Sequence, residues 1–168
     1  MDTAGLLLTG GAGRRLGRDK ARLPTALRVA QVLRDALDGP VYEIGAATTG
    51  LPCIDDESRE GPLAALAAAP AGDAVVLACD LPFVSVDLVR RLATRPGTAV
   101  PVVAGRVQPL CARYSAEALA VVGALVTAGE RRMTALLDAV DVEWLHDFAP
   151  AREFADIDTP DDVARLGL

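Results

Sequence analysis

The chain has 168 residues, 51% of them hydrophobic and 24% charged, with a formal net charge of −6. One domain of this size buries a core that needs neither disulfide nor metal to fold, and the acidic balance argues against general nucleic-acid binding. No apolar run approaches the ~20 residues of a membrane span, and the leucines at 6–8 lack the basic start and cleavage site of a signal peptide, so a cytoplasmic protein without membrane partners is expected.

Residues 4–9 form the first predicted strand, continuous and apolar as buried parallel strands are. The turn Gly10-Gly11-Ala12-Gly13 follows. Arg14, Arg15, Arg18, Lys20 and Arg22 come next, against the single acid Asp19. Such a turn leaves backbone N–H groups free to face an anion, and a basic cluster on an acidic chain points to a local anion site. This stretch reads as a triphosphate cradle. It is neither the GxxxxGK[ST] loop nor the GxGxxG dinucleotide fingerprint.

Pro24 suits a first helical turn, and Leu27, Ala30, Leu33 and Leu37 keep helical spacing up to Gly39-Pro40. Residues 41–46 are a second strand, and 52–55 a short one. Gly61-Pro62-Leu63 opens an alanine-rich helix reaching Pro70. Residues 73–79 are a buried strand that stops at Asp80-Leu81-Pro82. Ser85 is placed as an N-cap, with Leu88, Val89 and Leu92 on the buried face. Residues 98–104 are a strand, and Gly105-Arg106 turns into another at 109–114. Ser115 caps a helix ending near Gly129, and 130–140 is helical again. Residues 142–145 are an edge strand and 154–157 a short strand. Asp158 or Thr159 caps the last helix, with Pro160 at its start.

Strands alternate with helices, so an α/β fold with a mainly parallel sheet is expected. Ligands of such sheets sit beyond the carboxyl ends of the strands. Three predicted strand ends carry suitable chemistry: the Gly10 turn, Asp80, and Asp156 with Asp158. Asp80 is either a metal ligand or a turn aspartate. Asp156 and Asp158 alternate onto one side of a strand, as metal ligands, acceptor contacts or a helix cap. His146 is the one histidine, on a surface segment, and no nucleophile motif is present. Cys53, Cys79 and Cys111 form no CxxC or CxxH pattern and are expected to be buried free thiols.

The stretch Leu8-Thr9-Gly10-Gly11-Ala12-Gly13-Arg14-Arg15-Leu16-Gly17-Arg18-Asp19-Lys20-Ala21 resembles LAGGxSxRMGxDKA, the pattern of the molybdenum cofactor guanylyltransferases, a branch of the nucleotidyltransferases. Further blocks match in order: Gly61-Pro62-Leu63 preceded by Asp56, Cys79-Asp80-Leu81-Pro82, residues 109–114, Gly129-Glu130-Arg131-Arg132, and residues 154–163. The resemblance spans the whole chain and implies a three-layer Rossmann-like nucleotidyltransferase fold in a single domain, residues 1–168. It implies transfer of GMP from GTP to molybdopterin with Mg²⁺ as cofactor. Leu8, Gly10, Gly11, Lys20, Asp56 and Asp80 would bind the nucleotide. Arg15, Lys20 and Asp80 would be catalytic, and Asp80 and Asp158 would hold the metal. Arg131, Arg132 and Asp156 are candidates for the acceptor, with a solvated helix start the alternative for the two arginines. A monomer is expected, handing its product to molybdoenzymes or other cofactor-biosynthesis proteins.

Three departures stand out. The family's longer stretch after its lysine is shortened here to Ala21-Arg22-Leu23-Pro24, and its asparagine-containing segment after the second strand is replaced by Gly45-Ala46-Ala47-Thr48. Asp156 and Asp158 stand where guanylyltransferases often have Asn and cytidylyltransferases Asp. The alternatives are therefore a nucleotidyltransferase using CTP or another phosphorylated acceptor, and a non-catalytic nucleotide-binding homologue.

Overall fold

The protein is described here by a computed structural model covering residues 2–10, 24–157 and 160–166. Strands β1 (Ala4–Leu8), β2 (Val41–Ile44), β3 (Cys53–Ile54) and β4 (Ala74–Ala78) pair in parallel in the order β3-β2-β1-β4. β7 (Cys111–Tyr114) runs antiparallel on β4, and β5 (Ala99–Val103) runs antiparallel to β7. Val102 pairs with Val107 of β6 (Arg106–Val107) and with His146 of β8 (Glu143–His146), so β6 and β8 take opposite edges of β5. The sheet is mixed, with a parallel core.

Alternation along the strands builds three layers. Leu7, Val75 and Leu77 face α1 (Pro24–Ala36) and α3 (Val86–Ala93). Leu6, Leu8 and Val76 face the opposite layer: α2 (Pro62–Leu66), α4 (Ala116–Ala120), α5 (Val122–Thr127) and α6 (Met133–Ala139). The expected α/β fold is therefore present.

Both serine caps form as expected: Ser85 accepts from Leu88 N at the start of α3, and Ser115 accepts from Ala118 N at the start of α4. α5 ends in a Schellman arrangement, with Gly129 N–H on Val126 O and Glu130 N–H on Leu125 O. That motif requires the positive φ of 93° that Gly129 supplies.

Several local expectations are corrected. The 154–157 strand is absent; Ala151–Phe154 is a 3₁₀ helix, continued by extended backbone. The alanine-rich helix stops at Leu66, where i→i+3 bonds from Ala67, Ala68 and Ala69 tighten the chain ahead of Pro70. The helix after Ser115 divides at Val121, and α6 starts at Met133 rather than Glu130. The hairpin turn lies at Ala104-Gly105, both at positive φ, one residue earlier than expected. Leu27 is exposed, because the buried stripe of α1 runs through Ala26, Val29, Ala30 and Leu33. Cys79 and Cys111 are buried thiols, whereas Cys53, on the edge strand β3, is exposed. Among the described residues no helix is long and apolar enough to cross a membrane.

Candidate active site

The register of the sheet gathers the site. Leu8 pairs with Ile44 on one side and Ala78 on the other, so the residues that follow β1, β2 and β4 emerge side by side at the carboxyl edge. Gly10 is exposed there, just past β1. Asp80 emerges from β4 two residues beyond Ala78 and is half-buried. Its backbone carbonyl accepts a hydrogen bond from Ile157 N–H at 3.0 Å, which lays the chain of Asp156 alongside it. Asp156 is exposed. Tertiary contacts hold this C-terminal segment in place. Ser85 N–H donates to Glu153 Oε2 at 3.1 Å, and the Arg152 guanidinium stacks 4.1 Å from the Phe83 ring centroid.

Asp56 closes the site on the β2 side. It is 7% exposed, and its Oδ1 accepts from the Ser58 hydroxyl and from Arg59 N–H. Its Oδ2 lies 3.3 Å from where a Gly10 Cβ would stand. Asp56 and Gly10 are thus neighbours although they are far apart in sequence. Leu8 itself is buried at the end of β1.

The two arginines of the Gly129 block are engaged within the protein. Arg131 donates to Val126 O and Glu130 O and pairs with Glu60 at 2.7 Å. Glu60 directly precedes Gly61-Pro62-Leu63, so two sequence blocks are joined by one ion pair. Arg132 is exposed and lies 3.7 Å from Glu130. Gly11, Arg15, Lys20 and Asp158 lie outside the described residues.

Sequence reasoning missed a buried carboxylate, Glu43, at 0% exposure in the middle of β2. Its Oε1 accepts from the Thr9 hydroxyl at 2.7 Å and from Thr48 N–H at 2.9 Å. Its Oε2 accepts from Thr49 N–H at 2.9 Å and from the Thr49 hydroxyl. Thr9 Oγ1 in turn accepts from Ala46 N–H at 2.8 Å. Burial pushes the Glu43 carboxyl upward, but the hydrogen bonds from Thr49, Thr48 and Thr9 outweigh it and hold the group below the ordinary carboxylate range. The available signal was an acid inside an otherwise apolar strand.

Gly45 seals the junction between the two loops. Its φ is +130°, and a Cβ there would stand 2.4 Å from Gly10 N. Gly45→Ala is therefore expected to cost about 2 kcal/mol or more, from backbone strain and collision together. It should also weaken nucleotide binding, since the β1 loop has to give way. Thermal unfolding and nucleotide titration of the purified variant check both effects; wild-type values in both would show that the contact is dispensable.

No three His, Cys, Asp or Glu side chains form a metal cluster among the described residues. Mg²⁺ needs no such cluster, because one or two carboxylates commonly hold it while phosphates and water complete its shell. The Asp80 carboxylate supplies hard oxygen donors of the right kind.

Residues 5–146 match the MobA-like NTP transferase domain family. A probable molybdenum cofactor guanylyltransferase of Mycobacterium avium is 36% identical, over 99% of this chain and 95% of that one. The crystal structure of molybdopterin-guanine dinucleotide biosynthesis protein A from Archaeoglobus fulgidus superposes with a TM-score of 0.80 at 22% identity, covering 97% of this chain and 96% of that one. The manganese complex of Rv0371C from Mycobacterium tuberculosis H37Rv has the same fold, with a TM-score of 0.64 at 22% identity over 99% of this chain and 98% of that one. The chain belongs to the MobA-like NTP transferase family and is a nucleotidyltransferase.

Proposed function

We propose that the protein transfers GMP from GTP to molybdopterin and releases pyrophosphate. The observation that carries this is the register Leu8↔Ala78, which sets the Gly10 turn and Asp80 on adjoining strands at one edge. A triphosphate on the turn would have its reacting end beside the carboxylate. The choice of guanine and of the acceptor is supported by the names of the relatives.

The terminal phosphate of molybdopterin attacks the α-phosphorus of GTP. A new P–O bond forms as the bond to the pyrophosphate oxygen breaks, and the electron pair leaves with pyrophosphate. The attacking group is already an anion, so no general base is required. Positioning and charge neutralisation carry the chemistry. That agrees with a sheet edge that carries Gly10, Asp56, Asp80 and Asp156 while the chain's one histidine, His146, is exposed on β8.

Backbone donors of Gly10 and Gly11 are assigned to the phosphates. Lys20 and Arg15 are assigned to the charge that grows on the leaving group. Asp80 would hold Mg²⁺, with Asp158 as a second ligand. When bound, the ion would supply Lewis-acid neutralisation of phosphate charge. Asp56 is assigned to the nucleotide on the β2 side. Asp156 is assigned to the acceptor. Arg131 and Arg132 remain acceptor candidates, and for Arg131 that role requires release of Glu60.

The test is direct. The protein is incubated with molybdopterin, Mg²⁺ and GTP, CTP or ATP in turn, and pyrophosphate and dinucleotide product are measured. GTP is expected to give the highest kcat/KM. A preference for CTP, the second reading favoured by aspartates at 156 and 158, would overturn the guanine assignment. Absence of product with all three would overturn the acceptor.

A further inference from the structure

We propose that Glu43 is a positioning residue for the nucleotide, its buried carboxylate holding the 45–49 loop as the wall against which the nucleoside end of the substrate packs. This rests on the nucleotidyl-transfer function of the site, whichever base and acceptor are used.

The topology supplies the first reason. β1 lies between β4 and β2. Asp80 follows β4, so the reacting phosphate belongs on that side of the Gly10 turn. The nucleoside must then lie on the other side, over the residues that follow β2. Those residues are Gly45 to Thr49, the ones that Glu43 gathers.

The bonding supplies the second. A buried carboxylate is tolerated where donors saturate it. Here Thr9, Thr48 and Thr49 do so, from the ends of two different strands. Thr9 is the residue immediately before Gly10, and it passes the link on to Ala46 N–H. One side chain therefore fixes the start of the phosphate turn and the neighbouring loop relative to each other. Gly45 packs so closely on Gly10 that a Cβ there would stand 2.4 Å from Gly10 N. Thr9 also stands where the guanylyltransferase pattern LAGG has alanine. Its hydroxyl is thus available to Glu43 in this chain.

Glu43→Gln preserves the shape but turns one oxygen into a donor that faces donors. Kd for GTP, CTP and ATP is measured by calorimetry with Mg²⁺ and no acceptor, and KM and kcat are measured in the complete reaction. Kd and KM for the preferred nucleotide are expected to rise by about tenfold or more, the effect of a charge-assisted hydrogen bond, with kcat changed far less. Thr49→Val removes a single hydroxyl and should raise Kd about fivefold, whereas Thr49→Ser should restore it. A merely structural role would lower Tm in these variants without this selective rise.

A folded Glu43→Gln protein with wild-type Kd and KM overturns the proposal, and so does an equal loss in kcat with KM unchanged. If Glu43→Gln does not fold, Thr49→Val decides it: wild-type nucleotide affinity there overturns the proposal. A wild-type protein that binds nucleotide yet transfers nothing to molybdopterin overturns the acceptor assignment alone, and the Kd ratios still decide the role of Glu43.

Discussion

Asp80→Asn is expected to lower kcat by about a thousandfold at saturating Mg²⁺ and nucleotide, the magnitude seen when a principal electrostatic contact to a transition state is removed. The amide is nearly isosteric but carries no charge to hold a divalent ion. The substitution should leave the fold intact. The bond from Ile157 N–H that docks the C-terminal segment is made to the Asp80 backbone carbonyl, which the substitution keeps. Nucleotide binding without acceptor should weaken far less than turnover, because Gly10, Asp56 and the basic residues after the turn remain. Pyrophosphate release under single-turnover conditions, alongside a nucleotide titration, separates the two effects. A turnover rate within a few-fold of wild type would remove Asp80 from the metal role and leave it as a turn residue.

The second large effect lies at the other end of the same strand. Arg113 is 5% exposed on β7, and its guanidinium donates to Asp73 Oδ2 at 2.6 Å and to Gly97 O. Its Nε is buried without a partner. Asp73 Oδ1 also accepts from Ala116 N–H at the start of α4. Asp73→Ala therefore strands a buried cation and removes an acceptor from a helix terminus. Breaking a buried pair from one side costs about 3–5 kcal/mol. Asp73 is 34% exposed at its side chain, so solvent screens part of this, and about 3 kcal/mol is expected. For a chain of this length that corresponds to a fall in Tm of about 6–12 °C. Asp73→Asn keeps an acceptor for Ala116 and should lose about half as much. Urea unfolding measures both. A cost under about 0.5 kcal/mol for Asp73→Ala would mean that water or a rearranged partner satisfies Arg113. Turnover by the folded fraction should be unchanged, since Asp73 precedes β4 while Asp80 follows it.

These two residues show which features the sequence carried openly. Asp80 was legible because an apolar run ends beside it, and strand ends are local signals. The caps at Ser85 and Ser115 were legible for the same reason: each acts on a backbone N–H three residues on. Arg113 and Glu43 were not. Each is a charge within a buried strand whose meaning depends on partners brought near only by folding. Glu43 needs Thr9 from just past β1, and Arg113 needs Asp73 and Gly97. The pairing of Arg131 with Glu60 is of the same kind. The strand expected at 154–157 is absent because burial of Phe154 and the bond from Ser85 N–H to Glu153 fix the 3₁₀ helix Ala151–Phe154 against α3, not within the sheet. Of the candidate site, Gly10, Asp56, Asp80 and Asp156 are brought to one edge, whereas Gly11, Arg15, Lys20 and Asp158 fall outside the described residues.

The hydrogen bond from Ile157 to Asp80 has a consequence for synthesis. A chain being synthesised presents β1 before β4, and both can be part of a nascent sheet while translation continues. The segment that lies against Asp80 is made much later. Nascent chains cut short before residue 157 would retain the strands through β8 and lack that contact. The chain of Asp156 is thereby set beside Asp80 only after residue 157 has been made, however early the strands that flank the edge have paired.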